Sequence, residues 1–232
     1  MQDKVTIDQA LDAFLADQRC RLSARTLRNY DDVVDLLRGC LNRYGPNALD
    51  HSDHERWEQA FQAGDEDAFC RLFGPEQILG NLSEFLGYFM VGKVMASQEL
   101  LRAAGTVTTK LAGWLYQQGH VSAQERAVAI EQGGRSARDL PRAERLANSL
   151  YAQSRTTPAF DPAVLGPRDL IEDYLVIEKV EPGKLYFTAG IGPLPVSTRA
   201  SDLAEVGWGV NATLVRLAKT WQVVEVGNVY PR

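Results

Sequence analysis

Thr156-Thr157-Pro158-Ala159-Phe160-Asp161-Pro162-Ala163-Val164-Leu165-Gly166-Pro167 divides the chain. Before it, apolar residues recur every three or four positions; after it, they follow a strand-like pattern. The stretch itself is rich in proline and has no period, which marks a linker. Downstream, Tyr174 to Val180 has β-type composition, and Glu181-Pro182-Gly183-Lys184 puts Pro and Gly where a type II turn requires them. Leu185 to Thr188 returns, Leu194 to Thr198 supplies a short third strand, and Val210 to Leu217 pairs with Trp221 to Val226 around Ala218-Lys219-Thr220. Five strands within residues 168–232 predict a small five-stranded β-barrel, SH3-like or OB-like, because closure removes exposed sheet edges.

Upstream, the pattern is helical. Thr6 and Gln9 form a capping box, and Leu11, Phe14 and Leu15 continue a first helix from about Ile7 to Cys20. Ser23 caps a second helix that carries Leu27, Tyr30, Val34, Leu37 and Leu41 to Tyr44, where Gly45-Pro46 stops it. The stretch from Asp50 to Gly74 predicts two short helices in a solvated acidic insertion. Leu82, Phe85, Leu86, Phe89, Met90 and Val94 then form one core-facing stripe. After Ser97, the run Leu100, Ala104, Val107, Leu111, Trp114 and Leu115 ends at Gly119, with Gly105 weakening that helix locally. A further helix is expected to start near Asp139-Leu140-Pro141 and to turn Leu146 and Leu150 inward. The fold class is α+β, with an N-terminal helical bundle followed by the small β domain.

Net charge is −5, but it is unevenly spread: residues 45–80 hold two basic and eight acidic side chains, whereas residues 81–155 hold nine and six. Any phosphate-binding surface must therefore be a local face. The N-terminus has no basic region followed by an apolar run. The longest apolar stretch, Phe85 to Met95, contains Gly87, Gly92 and Lys93 and falls short of the roughly 20 residues a membrane span needs. A cytoplasmic protein with no membrane partner is expected. Cys20, Cys40 and Cys70 are odd in number and lack any Cys-x-x-Cys pair, so they are expected as small buried hydrophobes.

Site motifs are weak. His51 and His54 lie among carboxylates in the acidic stretch, with no third or fourth ligand identifiable, so no metal is expected. Gly207-Trp208-Gly209-Val210-Asn211-Ala212 fits a loose dinucleotide fingerprint with Glu225 downstream, but it opens a strand where that fingerprint needs a helix. Gly190-Ile191-Gly192-Pro193 reads as a hairpin loop. No cofactor is expected, and the usual nucleophile, nucleotide and zinc-hydrolase motifs are missing. Arg135, Arg138, Arg142 and Arg145 recur at helical spacing, as either a solvated stripe or a phosphate contact.

Ala13-Phe14-Leu15 through Leu22-Ser23-Ala24-Arg25-Thr26-Leu27-Arg28-Asn29-Tyr30 to Leu37 resembles the first two helices of the core-binding, SAM-like domain of phage-integrase-type tyrosine recombinases. Those domains have a phenylalanine-leucine helix, then Ser-x-x-Thr-x-x-x-Tyr and a leucine-rich helix. Glu84-Phe85-Leu86, Ala96-Ser97, Leu111-Ala112-Gly113-Trp114-Leu115 and Gly119-His120-Val121 are similar to the family's third and fourth helices. The resemblance covers about half the chain, to residue 121. The family's usual Asn-Pro is replaced by Ser122-Ala123, and its catalytic domain is missing. None of His51, His54 and His120 has arginine three residues later, and Tyr230 lacks the helpers a nucleophilic tyrosine needs.

The resemblance implies four main helices over residues 1–121, with the acidic insertion at 45–80 between the second and third; beyond it, connecting helices are expected over 122–155, the linker over 156–167 and the β domain over 168–232. It also implies DNA binding without enzymatic activity. The family's second and fourth helices face the duplex, which carries over to Arg21, Ser23, Arg25, Thr26 and Arg28, and to Thr109 and Lys110. Asp31, Asp32 and Asp35 oppose this unless they point away, and Arg28 could pair with Asp31 or Asp35. The competing expectation is a protein-interaction adaptor or regulatory protein without DNA binding, using its C-terminal domain to hold another protein.

Overall fold

The computed structural model describes residues 4–166 and 168–231, so Pro167, the end of the expected linker, lies outside the described residues. The chain is α+β: helices first, then a five-stranded antiparallel sheet. It divides into two compact units, Met1–Arg138 and Asp139–Arg232.

In the first unit, α1 (Ile7–Arg19) begins with the reciprocal Thr6 and Gln9 capping box, and α2 (Ala24–Tyr44) begins at Ser23. Both caps satisfy amide donors that a helix start otherwise leaves orphaned. Phe14 stacks on Tyr30 and meets the edge of Trp114, each at 5.9 Å between ring centres. The following segment is not all solvated. α3 (His51–Gln62) buries no residue, but α4 (Ala68–Leu72) buries Ala68, Phe69 and Cys70. Gly45 is required there, because a Cβ on it would sit 2.5 Å from the Phe69 ring. After α5 (Glu76–Gly80), residues 82–92 are continuously helical. α6 (Leu82–Glu84) and α7 (Met90–Gly92) are joined by a π turn at Phe85–Phe89.

α8 (Gln98–Gln117) is capped by Ser97 and crosses the first part of α9 (Ala123–Ser154) at very short range. A Cβ on Gly105 would come within 2.3 Å of the Ala137 amide nitrogen and the Gly133 carbonyl oxygen, and a Cβ on Gly133 within 2.4 Å of the Thr109 hydroxyl. Gly105 is therefore a contact residue whose missing side chain lets two backbones touch.

In the second unit, α9 runs unbroken through Pro141, where the sequence suggested a new helix. Ala143, Leu146 and Leu150 from its second half pack with Leu175, Ile177, Trp208 and Leu214 of the sheet domain in one core. The units accordingly divide at Arg138/Asp139 and not in the proline-rich stretch, which itself contains a 3₁₀ turn at Pro162–Val164.

The sheet order is β3-β2-β1-β4-β5, all antiparallel. β1 (Leu170–Glu181) is shared: Leu170 to Val176 pair with β4 (Gly209–Leu217), and Ile177 to Glu181 pair with β2 (Lys184–Phe187). β5 (Thr220–Tyr230) pairs with β4 around Ala218 and Lys219, both at positive φ, as a two-residue hairpin demands. Gly183 at φ 76° supplies the left-handed turn position foreseen between β1 and β2.

The expected barrel closure is not found. β3 (Ile191–Pro195) and β5 approach within 8 Å between Cα atoms but share no ladder. The sequence of β3, Ile-Gly-Pro-Leu-Pro, removes two N–H donors from a five-residue edge, so it is poorly equipped to bond another strand. β3 also ends before the predicted Leu194 to Thr198 strand does, because Ser197 caps α10 (Thr198–Leu203) by accepting from the Ala200 amide.

Two outcomes test this arrangement. Gly133→Ala should destabilise the protein by about 2 kcal/mol, since about 3 kcal/mol of overpacking outweighs about 1 kcal/mol of helix propensity. Gly134→Ala, where nothing lies within 4 Å of an added Cβ, should be stabilising; a chemical-denaturation comparison reads both. Separately, residues 139–232 expressed alone should unfold cooperatively by circular dichroism, whereas residues 168–232, deprived of Leu146 and Leu150, should not.

Candidate nucleic-acid interface

The residues carried over from the recombinase resemblance fall into three groups. Ser23 and Thr26 serve the cap: the Ser23 hydroxyl accepts from the Thr26 amide at 3.3 Å and lies 3.0 Å from its hydroxyl. Arg25 leaves its own helix to reach α8. Its guanidinium donates to Glu99 Oε2 at 2.9 Å, and the Asn29 amide donates to Oε1 at 3.1 Å. These two donors hold the Glu99 carboxyl below the usual carboxylate range. Glu99 also suits the first turn of α8, where a negative charge complements the exposed amides. Arg21 forms an exposed pair with Asp17 at 3.3 Å.

Arg28 and Lys110 form the second group. Both are exposed, and neither has an acidic partner among the described residues. Two of the three acids named beside Arg28 are engaged elsewhere: Asp31 faces Arg19 at 3.8 Å, and Asp35 faces Arg38 at 3.4 Å. Thr109 stands alone as the third group. Its hydroxyl donates to the Gly105 carbonyl at 2.9 Å and faces Gly133, so it belongs to the α8–α9 crossing.

The structure thus brings Arg25, Asn29 and Glu99 together and leaves Lys110 about 16 Å further along α8, eleven residues beyond Glu99. Asn29, which meets Glu99, and Arg102, exposed one turn beyond Glu99 on α8, were not singled out from the sequence. The i, i+4 spacing of Arg25 and Asn29 was the available signal; their meeting with Glu99 depends on packing.

No family model, curated protein or solved structure matches this chain. What the site can do therefore rests on its geometry. The arginine stripe of α9 is largely committed internally. In the first unit Arg135 pairs with Glu131 at 2.9 Å. In the second, Arg142 donates to Asp139 and Glu205 and lies over the Trp208 ring at 5.1 Å, while Arg145 donates to the Pro141 carbonyl. These contacts favour a structural role for the stripe over phosphate contact.

His51 pairs with Glu55 at 3.2 Å, and His54 packs against the edge of Trp57. Among the described residues, no group of three or more His, Cys, Asp or Glu is placed to hold a metal. Gly207-Trp208 lead into strand β4 without forming a helix: Gly207 donates to the Ile177 carbonyl, and Trp208 is buried. Among the described residues, no helix is long and apolar enough to cross a membrane.

The cysteines differ from one another. Cys40 and Cys70 are buried as foreseen, but Cys20 is exposed at the C-terminal cap of α1, where the polar turn into α2 provides no cover. Burial pushes the Cys40 thiol up to about 12 and raises Cys70 as well, so neither supplies thiolate near neutrality. At about pH 8, dithiobis(nitrobenzoate) should label one thiol in the native protein and all three in denaturant. Fast labelling of two or three native thiols would contradict the burial.

Proposed function

We propose that this chain is a non-catalytic, cytoplasmic DNA-binding protein whose helical unit is related to recombinase core-binding domains. The observation carrying this proposal is the junction of α2 and α8 at Glu99. It holds Arg25 and Asn29 against Glu99 beside the N-terminus of α2, with Arg28 and Arg102 each exposed one turn further along α2 and α8, a combination suited to phosphate oxygens. Glu99 holds Arg25 in position and also lowers the net charge of the edge, making this a modest electrostatic contact.

The second unit is proposed to be an OB-like, incompletely closed barrel. Support comes from the shared first strand, the helix between β3 and β4, and the approach of β3 to β5. A protein-binding role for this unit is the second reading, favoured by Leu170 and Tyr174 standing exposed on one face of β1, with Tyr174 5.7 Å from the Tyr230 ring.

Duplex binding should weaken steeply with salt, and Arg25→Ala/Arg28→Ala should lower the salt slope by about two, similarly across sequences. Glu99→Gln should tighten binding severalfold, because it removes a negative charge and loosens Arg25. Mobility shifts on random duplex DNA at two salt concentrations read all three. Absent low-salt binding, or weaker binding by Glu99→Gln, would move the assignment to the protein-binding role, whose apolar contact is insensitive to salt.

A further inference from the structure

The far end of α2 carries a second feature, which the recombinase resemblance does not assign. Arg43, in the last turn of α2, lies over the ring of Tyr44 at 5.8 Å, and Lys93, just after α7, lies over the ring of Tyr88 at 5.4 Å. The two tyrosines meet edge to face, 5.9 Å apart at 84°, so cation, ring, ring and cation form one continuous patch. Among the described residues neither cation has an acidic partner, although the chain is acidic overall.

The local backbone favours access. Tyr88 is 38% exposed, and Gly87 beside it and Gly39 one turn before Arg43 have nothing within 4 Å of where a Cβ would stand. Tyr88 also sits in the π turn Phe85–Phe89, a rare irregularity often found at functional sites. The cations complement the carbonyl ends of α2 and α7, which explains their sign but not the exposed ring beside them.

We propose that Arg43, Tyr44, Tyr88 and Lys93 form a binding patch for single-stranded nucleic acid. In this patch the Tyr88 ring stacks on a base while Arg43 and Lys93 take the flanking phosphates. This pairing of stacking platform and cations is sequence-tolerant, because every base has a π face. The patch is distinct from the duplex-facing edge: Arg43 lies eighteen residues from Arg25, about 27 Å along α2.

The full-length chain would be titrated into fluorescein-labelled oligo(dT) and oligo(rU), with anisotropy as the readout. Tyr88→Ala should weaken binding about tenfold and Tyr88→Phe should preserve it. Arg43→Ala/Lys93→Ala should lower the salt slope by about 1.4, as expected for two contacts on a single strand. Circular dichroism confirms that each variant is folded. Preference for either polymer identifies the strand and supports the patch equally. Absent binding at low salt, indifference to Tyr88→Ala, or loss only in the Arg25/Arg28 variant would overturn it; so would equal competition by inorganic polyphosphate, which has no bases to stack.

Discussion

The contact of two glycines, Gly105 on α8 and Gly133 on α9, sets the geometry of the helical unit. With no Cβ at either position, the helices meet at a distance that any larger residue would forbid. That closeness fixes the rotation of α8 about its axis. Thr109 must then turn inward, Lys110 outward, and Leu111, Trp114 and Leu115 into the core. Trp114 can consequently meet Phe14, while at the other end of the helix Glu99 faces Arg25 and Asn29.

Much of the fold was legible because its signals are local. The capping residues Thr6, Gln9, Ser23 and Ser97 lie next to the helices they start, and Gly183 lies in the turn it permits. What escaped depends on residues distant in sequence. Phe69 and Cys70 sit in an acidic stretch that looks solvated until Gly45 and the Arg38 carbonyl are seen beside them. Leu146 and Leu150 look like one more bundle helix until the sheet that covers them is in place. Pro141 suggested a helix start, but the loss of one amide donor is tolerated where Leu140, Ala143 and Leu146 keep a common buried face. The Ser197 cap was a local signal, but the neighbouring Leu-Pro-Val run had already suggested a strand there.

The candidate site shows the same division. Residue types and spacing identified the start of α2 as a cationic edge, but not which charges remained available. Arg21 and Arg25 are paired, whereas Arg28 is left without an acidic partner among the described residues, with Asp31 facing Arg19 and Asp35 facing Arg38. Side-chain pairing across helices therefore edits a charge pattern that the sequence shows only in outline. The same holds for the α9 arginines: Arg142 reads as surface charge, yet it joins Asp139, Glu205 and Trp208 in the second unit.

The prolines of β3 have a consequence for crowded conditions. A sheet edge with a full row of amide donors can recruit a strand from a neighbouring molecule and extend without limit. Here two of the five edge positions cannot donate, so edge-to-edge growth into fibrils is disfavoured on that side from the moment the unit folds.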